Sequence, residues 1–119
     1  MLLAGAVLGG FGVGLGAFGA HGLKKIATAE MLQIWETAVR YHMYHAIALI
    51  GLGLFADRHP GGAAGVAAWL WIAGVAIFSG TLYAMTLTGA RWLGAITPIG
   101  GVALIAGWAA FAVAIVRLR

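Results

Sequence analysis

Charged residues divide this chain into long apolar intervals. Residues 1–23, 41–56, 59–90 and 92–116 contain no Lys, Arg, Asp or Glu. A helix rising 1.5 Å per residue needs about 20 apolar residues to cross roughly 30 Å of hydrocarbon. The first, third and fourth intervals are long enough outright. The second, from 41 through 56, covers only about 24 Å by the same rise and must borrow the turn containing Arg40. Four spans are expected, near 2–20, 37–55, 65–87 and 96–116. Unpaired backbone groups are costly in lipid, so these spans should be helices. A transmembrane β-barrel would instead alternate polar and apolar residues over roughly ten-residue segments, and no such alternation is seen. The pattern predicts an all-α fold: one domain, 1–119, forming an integral membrane four-helix bundle.

The connections refine this picture. Residues 21–36 carry His21, Lys24, Lys25, Glu30, Gln33 and Glu36, with Thr28 the expected N-cap. No proline interrupts the helical pattern from there to Phe55. Residues 29–55 therefore read as one helix, whose first turns (29–36) form an amphipathic interfacial extension. Asp57-Arg58-His59-Pro60-Gly61-Gly62 is a polar turn that stops one helix before the next. The connection around Thr88-Gly89-Ala90-Arg91 is short, and Pro98 suits the first turn of the last helix. Short loops make neighbouring helices antiparallel. The first span lacks a basic segment ahead of it and is rich in glycine, so it is expected to remain as a span rather than be cleaved as a signal peptide.

Composition agrees. Hydrophobic residues make up 63% of the chain and charged residues 8%, against about 25% charged in an average soluble domain. A water-soluble enzyme domain is excluded. Seven Lys plus Arg against three Asp plus Glu give +4; this reflects scarce acids rather than a basic patch, so no nucleic-acid partner is expected. The absence of cysteine removes disulfides, thiolate nucleophiles and Cys-based metal sites. The expected setting is the cell inner membrane, crossed several times, with the lipid bilayer as the surrounding partner. The positive-inside rule is nearly balanced between the two ends; Lys24 and Lys25 tilt it toward termini on the outside.

Apolar burial does little to join helices in lipid, so close approach through small residues matters. Gly5, Gly9, Gly12, Gly16 and Gly19 fall within about 80° of one another at 100° per residue. Gly100, Ala103, Gly107, Ala110 and Ala114 form a similar stripe on the last span, and Ala73, Ala76, Gly80 and Ala84 one on the third. Gly/Ala-mediated packing is the expected role, within the bundle or between copies; a pore would need polar groups beside the first stripe.

The few polar residues form one candidate cluster: His21, Glu36, Arg40, Tyr41, His42, Tyr44 and His45. Gln33, Glu36, Thr37, Arg40 and Tyr44 share an arc of about 100°. Glu36 and Arg40 stand at i, i+4 in the favourable order for an ion pair, which would anchor the helix at the membrane edge or relay ions. His42 and His45 are one turn apart, and His21 lies on the same membrane side. These three are the candidates for a metal or haem iron. They have no supporting carboxylate on their own face, Glu36 lying on another, so hydrogen bonding is the preferred role and no cofactor is expected. Ser79, Thr81, Tyr83, Thr86 and Thr88 need no hydrophilic path, because Ser and Thr bond their own helix carbonyls. Trp35, Trp69, Trp71, Trp92 and Trp108 are expected mostly near span ends, at the interfaces.

Three blocks carry a resemblance. Gly16-Ala17-Phe18-Gly19-Ala20-His21-Gly22-Leu23 is similar to the signature closing the first span in a family of small membrane proteins, domain of unknown function 423. Trp35-Glu36-Thr37-Ala38-Val39-Arg40-Tyr41, with His42 and His45, resembles its second block. Phe78 to Tyr83, Gly94 to Gly101 and Gly107-Trp108 resemble its third. The resemblance implies a four-span membrane fold in bacterial inner membranes, with a mitochondrial relative in animals, and no activity. The favoured function is a structural, accessory or self-associating helical bundle, not an enzyme, with a homo-oligomer or a larger membrane complex as the expected assembly. A small transporter or channel using Glu36 and Arg40 is the first alternative, and a metal- or haem-binding subunit using His21, His42 and His45 the second.

Overall fold

A computed structural model describes residues 1–118. The described residues form four long helices, α1 (Leu2–Ala20), α2 (Ala29–Arg58), α3 (Gly62–Thr88) and α4 (Thr97–Val116), with short 3₁₀ turns at Leu23–Lys25 and Arg91–Ala95 and no strands. Leu2–Lys25, Gly62–Thr88 and Arg91–Val116 are long and apolar enough to cross a membrane. The second helix is long enough but carries Glu30, Glu36, Arg40, Asp57 and Arg58.

Local chemistry sets the helix ends. Thr28 caps α2, its hydroxyl accepting from the Met31 N–H at 3.2 Å, which satisfies one of the free donors of the first turn. Gly89 ends α3 in the left-handed region at φ 73°, where a side chain would be strained. Pro98 lies in the first turn of α4, where its missing N–H costs nothing.

Neighbours in sequence are neighbours in space: α1 packs on α2, α2 on α3 and α3 on α4. Each pair runs antiparallel. Going up α1, Gly5, Gly12 and Gly19 meet Ile50, Met43 and Trp35 in turn. Tyr41 meets Phe78, and Trp35 meets Tyr83. Gly100 rests on Phe78 and Gly107 on Trp71. The Cα framework measures 52 × 26 × 16 Å, between a flat row and a closed square of helices. One side of α1 and one side of α4 therefore carry no neighbouring helix.

The small-residue stripes are used selectively. On α1 the contact follows a seven-residue spacing through Gly5, Gly12 and Gly19, with Gly16 against Val39 at the distance of an ordinary contact. Gly9 has nothing within 4 Å of where its Cβ would be, so it lies off the contact line, which seven-residue spacing holds narrower than the sequence arc. On α4, Gly100 and Gly107 face α3, Ala110 borders the core and Ala103 is half-buried.

The core lies where α2, α3 and α4 meet: Leu49, Leu52, Ala64, Ala67, Ala68, Trp71, Val75 and Leu104. Two tryptophans correct the interfacial expectation. Trp71 and Trp35 are 0% and 2% exposed, packed between helices rather than facing the headgroups, whereas Trp69 and Trp92 project outward.

Candidate functional site

The seven clustered candidates lie on several sides of the molecule. Six share α2, where successive residues turn by 100°, so a short stretch of sequence faces every neighbour in turn. Glu36, Arg40 and Tyr44 are exposed on the side of α2 away from α3. His42 turns toward α1 and Tyr83. Tyr41 and His45 turn toward α3 and α4. His21 is exposed just past the end of α1.

Two polar pairings differ from the expectation. Glu36 and Arg40 do not pair with each other; the one ion pair among the described residues joins Glu30 to Arg91 at 3.3 Å. This second contact ties the first turn of α2 to the turn before α4, and both partners are largely exposed, so it contributes little. The three histidines do not converge either. Gly12 lies beside His42, and His21 lies nine residues further along, about 13 Å away along the helix axis. Among the described residues no group of three His, Asp or Glu is placed to hold a metal.

The interior polar groups are instead tied to one another. His45 Nδ1 lies 2.7 Å from the Tyr41 carbonyl, and its Nε2 accepts the Trp108 indole N–H at 3.1 Å. A carbonyl only accepts and an indole N–H only donates, so both ring nitrogens are assigned: His45 is neutral and protonated on Nδ1. With Nε2 occupied, His45 presents no free lone pair to a metal. ¹⁵N NMR of labelled protein in bilayers is expected to show this tautomer, and Trp108→Phe to free Nε2 while the Tyr41 carbonyl keeps Nδ1 protonated; an Nε2-protonated ring in the native chain would refute the assignment.

His42 Nδ1 lies 3.1 Å from the Tyr83 hydroxyl. Its Nε2 is buried beside α1 with no hydrogen-bond partner. Trp35 donates to the Leu15 carbonyl at 2.8 Å, joining α1 to α2. Ser79 donates to the Ala38 carbonyl at 2.7 Å, joining α2 to α3. Thr81, Thr86 and Thr88 bond carbonyls of their own helix four residues back, and Thr81 also meets Thr97 at 2.7 Å. The interhelical role of Ser79 has no local sequence signal, because its acceptor is 41 residues away.

Two cavities bear on function. One of about 260 Å³ lies between α1 and α2, lined by Gly16, Gly19, Trp35, Glu36, Val39 and Arg40 among others. A shallow apolar groove runs along α1 over Ala6, Val7, Gly10, Phe11, Gly14 and Leu15, away from α2.

These residues coincide with a described family. The family model "Protein of unknown function (DUF423)" matches residues 15–101, which include the α1–α2 cavity and the interhelical hydrogen bonds other than that of Trp108 to His45. The chain belongs to this family. The chain is similar to the UPF0382 membrane protein YwdK of Bacillus subtilis, 47% identical over 117 residues, covering 98% of this chain and 95% of the relative. UPF0382 membrane proteins of Staphylococcus haemolyticus and Staphylococcus saprophyticus are 46% and 44% identical over 107 residues, covering 90% of this chain and 87% and 88% of theirs. No solved structure matches. Like these relatives, the chain is a membrane protein.

Proposed function

We propose that this protein is a multi-pass inner-membrane protein without catalytic activity, crossing the bilayer four times and working by association with further copies of itself. The fourth crossing is α2. It lies antiparallel between α1 and α3, both long and apolar enough to cross, and its charges gather near its two ends.

The observation carrying the association reading is the division of labour on α1. Gly5, Gly12 and Gly19 are packed against α2, whereas Gly9, Gly10 and Gly14 meet nothing within 4 Å. A glycine inside a helix costs about 1 kcal/mol relative to alanine, and the chain's own packing recovers nothing for these three. Ala6, Gly10 and Gly14, each four apart, line the outward groove. That spacing lets a second helix approach closely in lipid.

The alternatives lose support. Glu36 and Arg40 lie on an outward side of α2 rather than along an interior path, and the three histidines do not meet.

Energy transfer between differently labelled copies in bilayers tests the reading. Gly10→Leu with Gly14→Leu is expected to weaken association about tenfold, equivalent to about 1.4 kcal/mol, while Gly51→Leu, in open space on α2, leaves it unchanged. A native protein that stays monomeric at high density in the bilayer would end the proposal.

A further inference from the structure

The cavity between α1 and α2 has a charge order that matches one class of ligand. Its wall on α1 is Gly16, Gly19 and Ala20, with the Trp35 ring packed on Gly19. Trp35, with its ring locked by the bond to Leu15, stands across from them on α2. Glu36 and Arg40 line the cavity together, yet neither pairs with the other. An acid and a base one turn apart in the favourable order would ordinarily pair. Here each is left free to meet a counter-charge from outside the chain.

Depth fixes the orientation. Gly19 meets Trp35 and Gly53 meets Leu2, so α1 covers α2 from about residue 35 to residue 53. The helix α1 has 19 residues, about 28 Å by its rise, and needs nearly all of that to cross the hydrocarbon. The hydrocarbon boundary on this side therefore lies near residue 36 of α2. Arg40 is one turn, about 6 Å, deeper than Glu36. Along the membrane normal Arg40 thus stands deepest in the cavity, level with Gly16 and Val39, and Glu36 one turn nearer the water, beside Gly19 and Trp35.

A phospholipid with a primary amine has the complementary order: acyl chains deepest, phosphate above them, ammonium outermost. We propose that this cavity binds the headgroup of an aminophospholipid of the phosphatidylethanolamine class. Arg40 holds the phosphate through the planar fork that suits phosphate oxygens, and Glu36 accepts N–H donors from the ammonium. A quaternary choline has no N–H to give Glu36, and a glycerol headgroup has no cation for it. In the bilayer the aliphatic stem of Arg40 is expected to stay among acyl chains while its head rises to the phosphate level, as basic side chains do near a membrane boundary. The site is on a different side of α1 from the outward groove, so it does not depend on self-association.

Native mass spectrometry of the full chain in detergent, titrated with phosphatidylethanolamine, phosphatidylglycerol and phosphatidylcholine of identical acyl chains, tests this. Retention of the ethanolamine lipid is expected to be about tenfold tighter than of the other two, as one charge-assisted hydrogen bond would give. Glu36→Gln should erase that preference while leaving phosphatidylglycerol binding intact. Arg40→Gln should weaken all three, and Arg40→Lys should restore only part. Both residues are exposed, so circular dichroism should confirm that the variants stay folded. Equal retention of the three lipids would overturn the proposal, as would a preference that survives both Glu36→Gln and Arg40→Gln. Displacement of bound lipid by millimolar glycerophosphoethanolamine or inorganic phosphate would equally overturn it, by making the ligand a free headgroup.

Discussion

Gly100→Ala should destabilise the fold by about 2–3 kcal/mol, and Gly100→Leu should prevent α4 from docking on α3 at all. A methyl group on Gly100 would strike the backbone nitrogen of Phe78 and come within 2.8 Å of its Cα. Those atoms belong to the interior of α3 and cannot rotate out of the way, so the two helices must separate. Separation carries the neighbouring contacts with it: Gly74 on Leu104 and Gly107 on the Trp71 ring. Gly12→Ala gives the calibrating contrast. Its methyl would meet chiefly the thioether of Met43, a flexible group that can swing aside, so the cost should be smaller. Gly9→Ala, facing open space, should cost nothing and stabilise by up to about 1 kcal/mol. Unfolding by sodium dodecyl sulfate from dodecylmaltoside micelles, followed by circular dichroism, ranks the three. A Gly100→Ala protein as stable as Gly9→Ala would show that α3 and α4 do not touch at this point.

That ranking marks where a one-dimensional reading stops. The helices were legible because crossing lipid requires long charge-free intervals, and α1, α3 and α4 carry no charged side chain at all. The helix ends were legible too, since Thr28, Gly89 and Pro98 act through their own backbone or their immediate neighbours. Which glycines touch a neighbour was not. Gly5, Gly9, Gly12, Gly16 and Gly19 share one arc, but a contact line repeating every seven residues takes the first, third and fifth and leaves Gly9 aside. Nothing in the chain marks that line; it depends on how α2 is rotated and tilted.

The polar residues failed as a cluster for a related reason. Tyr41, His42, Tyr44 and His45 are adjacent in sequence, and a helix sends adjacent residues to different neighbours. The partners of Tyr41, His42 and His45, namely Phe78, Tyr83, Trp71 and Trp108, lie on other helices, whereas Tyr44 meets Tyr41 of its own helix. Glu30 finds Arg91 across 61 positions, beyond any local rule, whereas the local rule linking Glu36 to Arg40 is not followed. The cavity those two line is assembled from two of the motif blocks, around Gly16–Gly19 and Trp35–Arg40. Their spacing in sequence does not disclose that they face each other; the antiparallel α1–α2 pairing does.

Trp71 is where α2, α3 and α4 join, and Trp71→Ala is expected to cost about 3 kcal/mol. The ring is fully buried, with centroids 4.6 Å from Trp108, 5.8 Å from Phe111 and 5.9 Å from the His45 imidazole. In a bilayer the hydrophobic part of the usual penalty shrinks, because an apolar group leaving the core enters acyl chains rather than water. What remains is the loss of these contacts and the cavity left behind, so the value should lie at the low end of the range for tryptophan truncation. Trp71→Phe separates bulk from hydrogen bonding. The Trp71 indole N–H is buried without a partner, so losing it forfeits no bond and removes an unsatisfied donor; the change should stay within about 1 kcal/mol. Trp35→Phe, by contrast, gives up the 2.8 Å bond to the Leu15 carbonyl and should be the costlier of the two phenylalanine variants. The same detergent titration measures all three. If Trp71→Phe proved as damaging as Trp71→Ala, the indole nitrogen rather than the ring's volume would be what holds the joint.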